Sequence, residues 1–144
     1  MTIDPNNRVV QLCASGMQAE GEGRLSAAKD FFTQAWEASA SDYEACIASH
    51  YLARHQETNE EKLRWNEISL ERAERVPGGH VESFMPSLLL NVGHSHELLG
   101  APSLARTFFE RAAAVLDVLP AGPYTDAVRD GVARALHRTG PARA

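Results

Sequence analysis

The densest run of metal-ligating and acid–base groups in this chain is His94-Ser95-His96-Glu97, with His50 and His55 adding imidazoles on an earlier segment. A metal site on a helix needs ligands at i and i+3 or i+4, because only those side chains share a face. His94 and Glu97 meet that spacing. His94 and His96, two residues apart, point about 160° to 200° away from each other on a helix. The pattern favours one histidine at a helix interface and one facing solvent or a groove. A small-molecule or metal site using His50, His94 and Glu97 stands as the alternative, and neither a metal nor a cofactor is expected.

Other reactive groups read in the same way. A nucleophilic Cys13 or Cys46 needs an activating base and an electropositive setting. His50, four residues beyond Cys46 on the same helix face, is the only neighbour the sequence offers it. Two cysteines so far apart make no zinc ribbon, and the reducing cytoplasm expected for this chain disfavours a disulfide, which leaves two ordinary structural thiols. Glu20-Gly21-Glu22-Gly23 lacks both the preceding strand and the third glycine of a dinucleotide-binding loop, and reads as a helix end. Trp65, with Arg54 and Arg64 nearby in sequence, is either an Arg–aromatic recognition patch or a packed ring with one edge showing. No catalytic residue is expected.

Composition narrows the partner. The chain has 144 residues and a formal charge of −5, which works against nucleic acid, since phosphate binding draws on clustered Lys and Arg. Its nearest approach to a basic patch is Arg134, Arg138 and Arg143 beside the closing Thr139-Gly140-Pro141 segment. No apolar run reaches the roughly 18 residues needed to cross a bilayer. The start, Met1-Thr2-Ile3-Asp4-Pro5-Asn6-Asn7-Arg8, has neither the basic opening nor the apolar stretch of a secretory signal, so a cytoplasmic location is expected. Frequent Ala and Gly, with Lys29 and Lys62 the only lysines among fourteen basic residues, point to a GC-rich bacterial genome.

The elements that position these residues come from an internal repeat. At a constant offset of 77, Leu12 pairs with Leu89, Gly16 with Gly93, Glu20 with Glu97, Gly23 with Gly100, Ser26 with Ser103, Ala28 with Ala105, Phe31 with Phe108, Phe32 with Phe109 and Ala35 with Ala112. Chance gives about one or two identities in such a window. Gly16 and Gly93 lie inside apolar-periodic stretches, where glycine costs about 0.5–1 kcal/mol relative to alanine, so close approach of a second helix must compensate. Gly23 and Gly100 fall where those helices end and a left-handed residue is needed.

This pattern resembles the tetratricopeptide repeat family, in which a Gly in the first helix precedes Ala, aromatic and Ala in the second. Gly16, Ala28, Phe32 and Ala35 match one copy; Gly93, Ala105, Phe109 and Ala112 match the other. The family's aromatic near the end of the first helix is replaced by Ala19 and His96. An enlarged middle pair fills the interval. Ser41 with Glu44 and Thr58 with Glu61 form capping boxes that open its two helices, and Asn66 falls where the family has a small residue.

The expected fold is all-α, a tetratricopeptide-like array forming a single domain over 1–138, with pairs at about 5–39, 42–75 and 82–118, a capping helix at 123–138 and a short flexible tail at 139–144. The seven helices are predicted at roughly 5–21, 25–39, 42–56, 59–75, 82–99, 102–118 and 123–138, with Pro86, Pro102 and Pro123 in first turns. No period-two apolar run supports a strand.

The resemblance implies a protein or peptide scaffold whose first helices line a concave groove. It assigns to that groove Met17, Glu20, Ser49, Leu90, Asn91, His94, Glu97 and Arg129, with Cys13 and Cys46 also facing it and the Arg54–Trp65 region as a second surface. The partner implied has apolar anchors and some positive charge. Self-association into a structural homo-oligomer is the remaining alternative.

Overall fold

The computed structural model describes residues 5–140. Among them are seven α-helices and no strand: α1 Arg8–Gly21, α2 Leu25–Ala38, α3 Asp42–Ala53, α4 Asn59–Glu74, α5 Met85–Leu98, α6 Pro102–Ala114 and α7 Pro123–Arg138, with a 3₁₀ turn Leu116–Val118 after α6. The chain divides into two compact units, Met1–His80 and Val81–Ala144. Consecutive helices pack as pairs, α1 with α2, α3 with α4 and α5 with α6, while α3 returns onto α2 and α7 onto α6. No described helix is long and apolar enough to cross a membrane.

The glycines at offset 77 account for the first and third pairs. A Cβ built on Gly16 would stand 2.4 Å from Phe32 Cε1, and one on Gly93 would stand 2.4 Å from Phe109 Cε1. Each ring lies against the bare backbone of the partner helix, and both rings are fully buried. Both first helices also end alike. Arg24 N donates to Ala19 O and Gly23 N to Glu20 O; Ala101 N donates to His96 O and Gly100 N to Glu97 O. This is a Schellman ending, with Gly23 and Gly100 at φ +76 and +79 as the left-handed residues.

The middle pair crosses by other means. Ser69, fully buried on α4, donates to Cys46 O at 2.8 Å, and its hydroxyl lies 3.8 Å from the Cys46 thiol. The small residues at this crossing are therefore hydroxyl- and thiol-bearing. Asn66 is only half-buried; α4 instead buries Ser69, Leu70 and Ala73.

Both predicted N-caps form, with Ser41 and Thr58 accepting from Glu44 N and Glu61 N at 3.1 Å. The Glu44 carboxylate reaches back past the N-cap to accept from Ala40 N, and uses its other oxygen to accept from Asn7, which itself caps α1. That cap starts α1 at Arg8. The predicted start of α5 at 82 moves to Met85 because 81–84 form a turn anchored by buried Val81. The end of α6 moves from 118 to Ala114, where the chain tightens into the 3₁₀ turn and buries Leu116 and Leu119.

Helix α7 buries Thr125, Val128, Val132 and Ala135 and turns Arg129, Asp130, Ala133, Arg134 and His137 outward. Thr139, placed by the sequence in a flexible tail, is buried and donates to Ala135 O at 2.7 Å. Residues 141–144, the rest of that tail with Arg143, lie outside the described residues.

Candidate binding surfaces

In each unit, a first helix is fastened to the next first helix at both ends. Within Met1–His80, Asn7 Nδ2 donates to Glu44 at 2.7 Å at the start of α1 and α3. At their far ends Glu20 accepts from Arg54 at 2.7 Å and meets His55 Nε2 at 2.6 Å. Within Val81–Ala144, the Ser87 and Tyr124 hydroxyls share a hydrogen bond at 2.5 Å at the start of α5 and α7. There Glu97 accepts from Arg138 Nε at 2.6 Å and from Nη2 at 2.8 Å at the far ends. His94 adds its Nδ1 at 3.5 Å from Glu97. These ties set the spacing of α1 against α3 and of α5 against α7, and they leave a strip of surface between each pair.

The sequence-assigned groove residues divide under this geometry. Met17 is 42% exposed, and His94 and Asn91 are half-exposed, so all three reach solvent. Leu90 instead packs between α5 and α7 on the cluster of Ala105, Phe109 and Ala135. Glu20 and Glu97 are on the surface but already neutralised, and Arg138 holds the Glu97 carboxyl below its usual range. Arg129 reaches Asp117 at 3.5 Å.

Ser49 does not face a groove. It is fully buried, and its hydroxyl donates back to Ala45 O at 2.6 Å. Cys13 and Cys46 are buried as well.

The second surface also rearranges. Arg54 belongs to the Glu20 tie and lies over Tyr51, 4.8 Å from the ring centroid. Trp65 instead meets Trp36 edge-on at 5.1 Å, with Arg64 over Trp65 and Arg72 over Trp36, each at 5.6 Å. Arg72 Nη1 donates to Asp42 at 3.0 Å. Trp36, Arg72 and Ser69 were not singled out by sequence, because each partner sits at least 23 residues away. The only local signal was Trp36 as the second tryptophan. Of the basic trio named in sequence, Arg138 is held by Glu97 and Arg134 lies 3.1 Å from Asp130, while Arg143 lies outside the described residues.

Among the described residues, no three His, Cys, Asp or Glu side chains gather as metal ligands. His94 packs edge-on to Phe109 and His96 stacks on Phe108, so the two histidines do separate to different sides of α5. Burial pushes the Cys13 thiol up to about 11 and raises Cys46 as well. Thiolate is the reactive form, so a neutral alkylating reagent at pH 8 should leave both cysteines unmodified in the folded chain and modify both in denaturant. Rapid native labelling of either thiol would restore a nucleophile or redox role.

His50 is mostly buried and its Nδ1 has no hydrogen-bond partner. Burial first, and then the charge of Arg54, depresses its pKa. The unfolded chain therefore takes up a proton on this ring at a higher pH than the folded chain does. The resulting stabilisation is complete above about pH 6.5, the unfolded value, and diminishes as pH falls toward the lowered folded value. His50→Phe should flatten the acid side of the stability curve by up to about 1 kcal/mol, measured by urea unfolding at pH 7.5 and 5.5. Parallel curves for the two proteins would show that His50 does not supply the slope.

No family model, curated protein or solved structure matches this chain.

Proposed function

We propose that the chain is a tetratricopeptide-like interaction module that binds a protein or peptide partner along the strips between successive first helices. The observation that carries this reading is the twofold recurrence of one design. A ring seated on a bare glycine fixes each helix pair, and a carboxylate at the end of the first helix ties it to the next first helix. Such scaffolding spends its polar groups on fixing helix spacing and leaves Met17, Asn91 and His94 presented between the ties. The partner supplies apolar anchors, since the two carboxylates on these strips are already paired.

The test is affinity capture from the native cell with four baits. A partner held by wild-type chain and by the second-helix surface variant Gln34→Arg, but reduced by at least about tenfold with Met17→Arg or Asn91→Arg, supports the reading. Equal capture by all four baits moves the interaction off these strips, and capture of nothing removes the reading.

A further inference from the structure

The α2–α3 corner carries a feature that the first-helix strips do not use. An open hollow of about 470 Å³ is lined by Trp36, Glu37, Ser41, Asp42, Ala45 and Arg72, among others. That volume lies within the range of about 300–1,000 Å³ usual for ligand sites and is enough for one or two side chains. Trp36 is half-buried and forms its aromatic wall, held in place by the edge contact with Trp65.

The charges around the hollow do not balance. Arg72 is answered by Asp42 Oδ1, which leaves Asp42 Oδ2 without a hydrogen-bond partner among the described residues. Glu37 is exposed and has no ion-pair partner there. Ser39 and Ser41 are turned to internal partners, Ala35 O and Glu44 N, so they do not compete for a ligand. What remains is one unpaired carboxylate and one half-used carboxylate, beside an indole that Arg72 already lies over at 5.6 Å. The two carboxylates outnumber Arg72 in the hollow, and that excess attracts a cation by charge.

We propose that this hollow takes a cationic side chain, arginine or lysine, from a basic segment of a peptide partner. The guanidinium or ammonium enters beside Trp36 and pairs with Glu37 and the free oxygen of Asp42. The site is separate from the first-helix strips and stands whether or not they bind.

The test uses the full chain and the acetylated, amidated tripeptide Leu-Arg-Leu, with the citrulline and glutamate versions as controls, followed by the indole N–H resonance of Trp36. The arginine peptide should shift that resonance saturably, and the binding should weaken as salt rises. Glu37→Lys, an exposed change, should keep the melting temperature and weaken binding by about tenfold or more. Three results overturn the proposal: equal binding of the citrulline or glutamate peptide, unchanged affinity in Glu37→Lys, and shifts that are unsaturable or bypass Trp36. Trp36→Leu tests the ring separately; if it unfolds the corner, the Glu37→Lys comparison still decides.

Discussion

Gly93→Ala should destabilise the chain by about 3 kcal/mol, although alanine is the better helix former by about 0.5–1 kcal/mol. The added methyl would stand 2.4 Å from Phe109 Cε1, 2.7 Å from Cδ1 and 3.1 Å from Cζ. A ring at 0% exposure in a closed core has no rotamer to retreat into. The control lies on α7, where a Cβ on Gly131 meets only Leu90 Cδ2 at an ordinary 3.5 Å. Gly131→Ala should therefore raise stability by about 0.5–1 kcal/mol. Thermal and urea melts of the two variants should move in opposite directions. Shrinking the ring should relieve the first: in a double-mutant cycle, Gly93→Ala with Phe109→Leu should lose clearly less than the sum of the two single changes. Strict additivity would show that glycine and ring do not meet.

The same contact explains why most of the fold was legible. An interlock of a bare backbone with a ring tolerates few substitutions, so Gly16–Phe32 and Gly93–Phe109 leave matching residues at matching spacing. Capping boxes and glycine-ended helices are equally local, and the helix boundaries were read within a few residues. The middle pair was harder because its crossing rests on the Ser69 hydroxyl and Cys46 carbonyl. A carbonyl is present at every residue, so no pattern marks the acceptor, and a buried serine has the same letter as a surface one. The inward turn of Ser49 was hidden for the same reason: its hydroxyl is satisfied by its own helix.

Candidate-site residues were legible as positions on a helix and illegible as partners. The sequence put a second helix close against Gly93 and one of the two histidines at a helix interface; Gly93 does meet Phe109, and His96 stacks on Phe108. Periodicity has nothing to say about which long side chain arrives from elsewhere. Arg54 lies 34 residues from Glu20, and Arg138 lies 41 from Glu97. Nearness in sequence therefore joined Arg54 to Trp65, whereas the fold joins Arg54 to Glu20 and Trp65 to Trp36.

That difference changes what a charge reversal should do. Read from sequence alone, Glu97 is a free surface acid and replacing it costs the fold almost nothing. In the structure its two oxygens face Arg138 Nε and Nη2, a forked ion pair, with His94 beside it. Glu97→Arg removes both charge-assisted bonds and sets two guanidinium groups at the junction of α5 and α7. Because the Arg138 side chain is 46% exposed, water screens much of the repulsion. The expected loss is about 1–2 kcal/mol, beyond the roughly 0.5 kcal/mol typical of surface changes. Restoring complementarity by adding Arg138→Glu should recover most of it, and Arg138→Glu alone should cost a similar amount. The pair should also matter less in acid: the folded pKa of Glu97 is lowered, so its contribution is full above the unfolded carboxyl value near pH 4.5 and fades as pH falls through the folded value. Urea melts of the four proteins at pH 7, with and without 1 M salt, measure the coupling directly. A single reversal that leaves the midpoint in place, or a double reversal that fails to rescue it, would mean that α5 and α7 are held by apolar packing alone and that the Glu97 carboxylate is open to a partner.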